Sequence, residues 1–512
     1  MLPLISLGQN YADVLIKNGK LIDGTGNNWY YADVAVKNGK ITAIGRLSGW
    51  KAAKEIDAAG LVVAPGFIDV HTHIEGDEKN NPLATNFIYD GVTTVVAGNC
   101  GASNIDIKKY FQFLDSLKLS VNVATLIGHN DVRREVMGRA NRKPSSDEMR
   151  KMESIVEQAM RDGAVGFSTG LQYTPGAYSD VNEVVALAKA ASKYNGVYAS
   201  HIRDEGDSVV QAIEEALHIG REAKIPVQIS HFKLSGQHNW GRSKETIPLI
   251  INARNEGVEV TIDQYPYTAA STNLSILLPD AVLADGQDSI KARLLRPDVR
   301  RQVIDHLISR LKKRKLKHWS YAVVAYYRAD TTLNGKSIEE INLLKGRKHK
   351  MKEEAETILD MMMNGGAGMV YHGMSDDDVK RIMQYPFNMF ASDASIRIWQ
   401  QGNPHPRGYG TNARVLSKYV REENVLSIEE AIRRMSSLPA QKFNLKDRGL
   451  IKEGFAADIV VFDEKQVKDL STYEKPHQYS TGFKFVLVNG AVTVEDGKHI
   501  GTRSGKSLKN QL

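Results

Sequence analysis

The run Gly-Val-Thr-Thr-Val-Val-Ala-Gly-Asn-Cys-Gly at 91–101 has the pattern of a buried β-strand with a polar end. Its apolar and β-branched residues predict a strand covered on both faces. The strand ends at Cys100, the only cysteine of the chain, and a similar strand upstream runs into His71 and His73. A lone cysteine is usually a small buried apolar residue. A thiol at a strand end, near two histidines, instead indicates a metal ligand.

The same alternation of strand, loop and amphipathic helix continues from about 60 to 440. One helix begins at Ser145 with a Ser-x-x-Glu capping signal, and Met149, Met152, Val156 and Met160 follow at helical spacing. The strand candidates lie at about 62–70, 92–98, 122–127, 164–168, 197–200, 227–230, 258–263 and 387–391. Eight such units predict an α/β fold, the (β/α)8 barrel of the TIM type, whose active site lies at the carboxyl ends of the strands.

The two ends of the chain share a different pattern. Residues 12–20 and 32–40 both read as an apolar strand that ends in Asn-Gly, a dipeptide typical of hairpin turns, and strands with turn signals return at 458–462 and 485–497. We therefore expect a small β-sandwich domain built from residues 1–61 and 441–512, with the barrel at 62–440 inserted between them. Within the barrel, about 285–350 is expected to be an inserted helical or mixed subdomain.

Composition excludes several classes of function. The 512 residues include 67 Lys and Arg against 60 Asp and Glu, a net charge of only +7, which is weak evidence for nucleic-acid binding. The basic run 311–317 fits a solvated helical face. No segment is long and apolar enough to predict a membrane span. We expect a small-molecule substrate, no nucleic-acid or membrane partner, and leave the oligomeric state open.

A single cysteine excludes an intrachain disulfide framework and suits a reducing compartment, so we expect a cytoplasmic protein. The alternative is a periplasmic location, if the apolar residues 1–9 are the remnant of a signal peptide.

Polar residues follow the predicted strands at their carboxyl ends, where a barrel would bring them to one rim. Two of them, His201 and His231, are 30 residues apart, about one strand–helix unit, and therefore belong on neighbouring strands. The full set is His71, His73, Cys100, His201, His231 and Asp393. Because cysteine and histidine together favour zinc over magnesium or calcium, we expect a zinc site.

The chain resembles the amidohydrolase superfamily. The motifs that carry the resemblance are Pro-Gly-Phe-Ile-Asp-Val-His-Thr-His at 65–73, Ala-Ser-His-Ile-Arg at 199–203, Ser-His at 230–231, Ala-Ser-Asp at 391–393 and Glu-Gly-Phe-Ala-Ala-Asp at 453–458. Within it, four further motifs are similar to the D-aminoacylase, or N-acyl-D-amino-acid deacylase, family: 98–101, 166–170, 263–267 and 405–407.

The resemblance implies a zinc ion held tightly by Cys100, His201 and His231. It also implies a second, weaker metal position formed by His71, His73 and Asp393. Cys100 would stand where cyclic amidases of the superfamily use a carboxylated lysine as the bridging group.

The implied reaction is hydrolysis of a linear amide bond by metal-activated water. Asp393 would be the general base and acid, although a carboxylate beside zinc can also be only a ligand. Arg407 would bind the substrate carboxylate with help from Tyr265 or Tyr267. Arg397 could share or replace that contact, because the segment after Asp393 is longer than in the best-known members. The insertion at 285–350 would lie near the active-site mouth, as a lid.

Two alternatives remain at this stage. A cyclic amidase of the hydantoinase or dihydroorotase kind, or a dipeptidase, would share the fold, but cyclic amidases usually carry the bridging lysine on strand four, where this chain has Gly-Phe-Ser-Thr-Gly at 166–170. A non-catalytic, metal-free scaffold would be expected to have lost ligands. Preference for D substrates rests on the resemblance alone, and the range of side chains and acyl groups stays open.

Overall fold

A computed structural model describes residues 10–510, so residues 1–9, on which the periplasmic alternative depends, lie outside the described part. The first strands are β1 (Tyr11–Leu21), β2 (Tyr30–Lys37), β3 (Lys40–Gly45), β4 (Lys51–Asp57) and β5 (Val62–Pro65). Asn38 and Gly39 have positive φ and make the expected turn between β2 and β3. Asn18-Gly19 is not a turn: the register of β1 against β2 shifts there, so the pair forms a bulge within one long strand.

The barrel begins after Pro65-Gly66. Its strands up to the insertion are β6 (Phe67–Asp69), β7 (Val92–Ala97), β8 (Asn122–Thr125), β9 (Ile127–Gly128), β10 (Gly166–Gly170), β11 (Val197–His201), β12 (Val227–Ile229) and β13 (Val260–Gln264). All their pairings are parallel, and β8 and β9 are two pieces of one strand. Each strand lies within or beside a segment predicted from the sequence.

Helices alternate with these strands. They are α1 (Thr85–Ile88), α2 (Ile107–Leu117), α3 (His129–Met137), α4 (Ser146–Arg161), α5 (Val181–Ser192), α6 (Val209–Ala223) and α7 (Ser243–Asn255). Helix α4 has the predicted capping box between Ser145 and Glu148, and Met152, Val156 and Met160 are buried in the core.

The insertion follows β13 and has a core of its own. It contains β14 (Ala269–Asn273), α8 (Asp280–Leu283), α9 (Gln287–Leu295), α10 (Pro297–Lys313), β15 (Ala322–Tyr326), α11 (Ile338–Leu344), α12 (Met351–Met363) and β16 (Gly368–His372). The antiparallel order is β14-β16-β15, and its apolar core runs from Leu274 to Met369, beyond 285–350 on both sides. In the basic run, Leu311 is buried while Lys312 and Lys313 are exposed, which is the expected solvated face.

The last barrel strand closes the ring. After α13 (Asp376–Met383), β17 (Asn388–Phe390) pairs in parallel with β13. The backbone N–H of Asp393 then donates to His71 O at 2.9 Å, and that of His73 donates to Ala394 O at 2.9 Å. These bonds join the end of the eighth strand to the end of the first, so the predicted (β/α)8 fold class is confirmed.

The chain then returns to the terminal domain. The elements are α14 (Arg407–Arg414), a π-helix (Val415–Glu422), α15 (Ile428–Met435), α16 (Ser437–Lys442), β18 (Ile459–Phe462), β19 (Phe483–Val488), β20 (Ala491–Glu495) and β21 (Lys498–His499). Strands from both ends form one nine-stranded sheet in the order β21-β20-β19-β18-β5-β1-β2-β3, with β4 beside β1. Thus 62–70 is not one barrel strand: β5 pairs in this sheet and only β6 enters the barrel. No helix between residues 10 and 510 combines the length and the apolar character needed to cross a bilayer.

Candidate metal centre

Six side chains converge where the barrel strands end. Cys100, after β7, places its Sγ 3.3 Å from Nε2 of His71, 3.7 Å from Nδ1 of His201 and 3.5 Å from Nε2 of His231. Five of the strands supply the six residues, so the site depends on the closed barrel rather than on any local segment.

Cys100, His201 and His231 form a donor set that fits zinc. Two ligands of a tetrahedral zinc ion lie about 3.3–3.6 Å apart, and both sulfur-to-nitrogen distances are close to that range. The two imidazole nitrogens are closer, with Nδ1 of His201 at 2.7 Å from Nε2 of His231. All three residues are buried. A thiolate with two imidazoles suits zinc better than a hard cation.

His71, His73 and Asp393 lie next to this trio. Oδ1 of Asp393 is 3.1 Å from Nε2 of His73 and 3.7 Å from Nε2 of His71. Cys100 is close enough to serve either group, since His71, His73 and Cys100 also form a set of donors within 4.8 Å of one another. Nδ1 of His71 lies 3.5 Å from Oδ1 of Asp263, while its Nε2 faces Cys100. The six side chains therefore form one continuous cluster of possible metal ligands.

The backbone bends into a left-handed conformation at three of these residues. The φ angles are 53° at Cys100, 35° at His231 and 50° at Asp393. Residues other than glycine rarely adopt this backbone conformation, and such strain concentrates at functional sites. Each turn redirects the chain directly after a strand, and this places the side chain in the barrel mouth.

Buried charges keep Cys100 and Asp393 ionised. Burial alone would raise the pKa of the Cys100 thiol, but the charge of His71 and hydrogen bonds with His201, His231 and His71 hold it well below its usual value. Burial also opposes ionisation of Asp393, yet Arg407, His71 and His73 keep its pKa well below the ordinary range. A thiolate and a carboxylate are the forms that bind metal.

A further layer of polar groups orients the histidines. Nδ1 of His231 is 2.9 Å from Oε1 of Glu205, which also pairs with Lys233, and Nε2 of His201 is 2.9 Å from Oε1 of Gln172. Such contacts fix the ring orientation of metal-binding histidines. Sequence reasoning missed these three partners. Lys233 was findable, because it lies two residues after His231 and alternate residues of an extended segment share a side.

The four predicted substrate-binding residues occupy different surroundings. Arg407 is buried, with Nη1 2.8 Å from Oδ2 of Asp393 and its guanidinium carbon 4.5 Å from the centre of the Tyr265 ring. Tyr267 instead packs against Arg414, 4.7 Å from its ring centre, so the structure separates the two tyrosines. Arg397 lies against Gly408. The Nε atoms of Arg397 and Arg407 are both buried without a hydrogen-bond partner. Burial and the charge of Arg407 lower the pKa of Arg397.

Strand β10 leaves no room for a bridging lysine at its end. A Cβ placed on Gly170 would lie 2.2 Å from the carbonyl oxygen of Cys100. Ser168, in the middle of the strand, donates to the carbonyl oxygen of Gly98. The backbone of Cys100 therefore packs directly against the end of β10.

Comparison with known proteins identifies the family. The profile of the Amidohydrolase family matches residues 54–268 and 350–494, well over half of the chain. The chain belongs to this family. The D-aminoacylase of Alcaligenes xylosoxydans xylosoxydans is 34% identical over 97% of both chains. The resemblance stated from the motifs is thus confirmed.

Solved structures of other members of this amidohydrolase family superpose closely. A D-aminoacylase structure matches with a TM-score of 0.83 at 34% identity, covering 97% of this chain and 100% of that one. That D-aminoacylase has a binuclear metal centre, in which one metal activates and the second attenuates. N-acyl-D-glutamate deacylase from Bordetella bronchiseptica, complexed with zinc and a phosphonate inhibitor that mimics the tetrahedral intermediate, matches with a TM-score of 0.82 at 34% identity, covering 98% and 100%.

Proposed function

We propose that this chain is a zinc-dependent deacylase that hydrolyses N-acyl-D-amino acids to a carboxylate and a free D-amino acid. The observation that carries the proposal is the cluster of Cys100, His201 and His231 beside the buried Arg407–Asp393 pair. Its full-length relatives are named as deacylases of D substrates, and preference for the D configuration is taken from them.

The proposed metal content is one tightly held zinc ion and a second, weaker position. Cys100, His201 and His231 would hold the first; His71, His73 and Asp393 would form the second, with the Cys100 sulfur within reach of both. When bound, zinc polarises the acyl carbonyl and lowers the pKa of water so that hydroxide is available near neutral pH.

Asp393 is the proton carrier in this scheme. Its carboxylate faces the histidines with Oδ1 and Arg407 with Oδ2, and its low pKa means that it is deprotonated before the reaction begins. It removes a proton from the attacking water as the oxygen adds to the acyl carbon. It then donates that proton to the amide nitrogen and the C–N bond breaks. The acid formed passes its remaining proton to the amine, so the products are a carboxylate and an ammonium group.

Two guanidiniums are available for the carboxylate of the substrate. Burial and the charge of Arg407 lower the pKa of Arg397, and both residues retain an Nε without a hydrogen-bond partner. A substrate carboxylate between them would relieve the repulsion and accept paired N–H donors. Tyr265, stacked on Arg407, fixes the plane of that guanidinium. Tyr267 packs on Arg414 and takes no part in this scheme.

The insertion is well placed to cover the substrate. Arg407 Nη2 donates to the backbone oxygen of Ser271 in β14 at 3.3 Å, and the hydroxyl groups of Tyr173 and Thr272 are 2.9 Å apart. Residues 269–372 thus touch the loops after the fourth and eighth barrel strands. We propose that this unit acts as a lid that excludes water, and that the enzyme works in the cytoplasm, where its metal-binding thiol stays reduced.

The test is amine release from paired N-acetyl-D- and N-acetyl-L-amino acids, with Met, Leu, Phe and Glu side chains, on zinc-supplemented enzyme. We expect strong preference for the D member of at least one pair and loss of turnover after chelation. Turnover of L substrates alone would overturn the stereochemical assignment. Turnover only of cyclic amides or dipeptides would overturn the deacylase proposal in favour of those alternatives.

A further inference from the structure

A second group of histidine and carboxylate side chains lies inside the insertion, and it shares no residue with the barrel mouth. Four donor atoms lie within 4.8 Å of one another, and they belong to His318, Glu339, His349 and Glu354. Three of these residues fall in 269–349, the stretch that the family profile leaves unmatched. The cluster therefore lies mostly outside the part of the chain that the family profile describes.

The four side chains come from four separate places in the chain. His318 precedes β15, Glu339 lies in the first turn of α11, and Glu354 in the first turn of α12. His349 lies in the loop between those two helices. Nδ1 of His318 is 2.5 Å from Oε1 of Glu354, and Nε2 of His349 is 2.6 Å from Oε1 of Glu339.

The two imidazole rings are stacked face to face. Their centres are 3.8 Å apart and their planes are inclined by 21°. Each ring directs one nitrogen to a carboxylate oxygen, so the four donor atoms meet at one place. One divalent cation there would balance the charge of both carboxylates.

The carboxylate of Glu354 needs such compensation most. Its side chain is fully buried, and its other oxygen, Oε2, accepts the backbone N–H of Trp319 at 2.8 Å. The nearby cations Arg347 and Lys345 are directed to Asp360 instead. A buried carboxylate requires pairing or a metal ion.

We propose that His318, Glu339, His349 and Glu354 form a second metal site, one that binds a single zinc-class divalent cation through two imidazole nitrogens and two carboxylate oxygens. Borderline metals such as Zn²⁺ and Co²⁺ accept this mixed nitrogen and oxygen set in tetrahedral geometry. The site joins the starts of α11 and α12 to the segment before β15. Its role is to hold the lid's own fold, independently of the chemistry at the barrel mouth.

The experiment compares metal content in full-length variants. The protein is stripped with a chelator, reloaded with Zn²⁺, desalted and analysed by mass spectrometry for metal per chain. The variants are His349→Ala, whose side chain is about half exposed, and the near-isosteric Glu339→Gln, with His218→Ala on the exposed face of α6 as the matched control. We expect both cluster variants to hold about one zinc ion fewer per chain than the control.

Cobalt separates the two sites by their ligands. In the Co²⁺-loaded protein, Cys100 gives a thiolate-to-metal charge-transfer band that the insertion site, having no sulfur, lacks. Cys100→Ala should lose that band and keep the weaker visible bands of the insertion ion, and Cys100→Ala/His349→Ala should lose both. Equal zinc content in His349→Ala and His218→Ala, or no metal at all in Cys100→Ala, would overturn the site.

Discussion

The two ends of the barrel are lined by different kinds of side chain. At the carboxyl end of the strands, buried charged groups converge, with Cys100, Asp393 and Arg407 among them. At the amino end, apolar side chains of α16 and of the residues after it cover the opening of the barrel. They pack in one apolar core with the inward-facing side chains of the strands, and Phe443 is fully buried there. A buried cation, Lys442, also lies at this end, against Glu259 directly before β13.

Buried charged side chains are thus concentrated at the carboxyl end of the barrel, and apolar packing dominates the amino end. Packing at the amino end stabilises the ring of strands. That rigid ring holds the charged groups at the carboxyl end within contact distance, although burying them costs free energy. Changes at the first end should therefore affect unfolding with little effect on metal binding. Changes at the second should affect metal and catalysis with little effect on unfolding of the metal-free protein.

Cys100→Ala should give the largest effect. Its sulfur is the atom shared by both groups of histidines, so we expect loss of the tight zinc ion and a fall in activity on the order of 10⁴-fold or more. Zinc per chain and kcat/KM should fall together, while the unfolding midpoint of the chelated protein stays close to that of the chelated parent. Cys100→Ser is the matched variant of similar size, and full activity with full zinc in either variant would remove the basis of the site.

Asp393→Asn separates proton transfer from metal binding. The amide keeps the size of the side chain but cannot carry the proton, so kcat should fall about 10²–10⁴-fold. Because Cys100, His201 and His231 are untouched, the tight zinc ion should remain. Parallel loss of zinc and activity would mean that Asp393 acts only as a ligand, and the general-base assignment would then fail.

Much of this arrangement was predictable because β-strands and their ends are local features. Eight apolar segments predicted the barrel strands. The polar residues that follow five of these segments predicted six side chains at one rim. The split of 62–70 was missed although Pro65-Gly66 marks the break, because both parts are apolar and long-range pairing with β18 assigns Val62–Pro65 to the terminal sheet. The Asn18-Gly19 bulge was misread for the same reason.

The side chains around the rim were harder to place. Tyr265 and Tyr267 are two residues apart, and strand alternation would put them on one side. The backbone N–H of Tyr267 instead donates to the oxygen of Tyr265 at 3.0 Å, a tight turn that directs the two rings to different arginines. The Glu205–Lys233 contact joins two loops, and no spacing within one segment signals it.

Phe443→Ala tests the opposite end. Removing a fully buried aromatic ring should lower the free energy of unfolding by about 3–5 kcal/mol, measured by denaturant unfolding of the chelated protein. Phe443→Leu should cost less than half as much, since it leaves a smaller cavity. At temperatures where the variants stay folded, zinc per chain and kcat/KM should match the parent. A large loss of zinc affinity would show that the two ends are not independent.

Lys442→Met gives the smallest expected effect and the clearest pH dependence. Burial lowers the pKa of Lys442 to about 8, against an ordinary value of 10.5, although Glu259 opposes the shift. Below pH 8 the amine is charged in both states, so its full burial cost, up to about 3 kcal/mol, weakens the native protein. Between pH 8 and about 10.5 the unfolded chain binds more protons, and the parent gains stability as pH rises.

The variant lacks this group, so it should be more stable than the parent at pH 7, and the difference should shrink by pH 9.5. Lys446→Met, at an exposed position nearby, should show no such convergence. Denaturant unfolding of all three chelated proteins at both pH values measures the effect, and the comparison between variants cancels groups that titrate elsewhere. If the stability advantage of Lys442→Met does not change with pH, Lys442 acts through packing rather than through its charge.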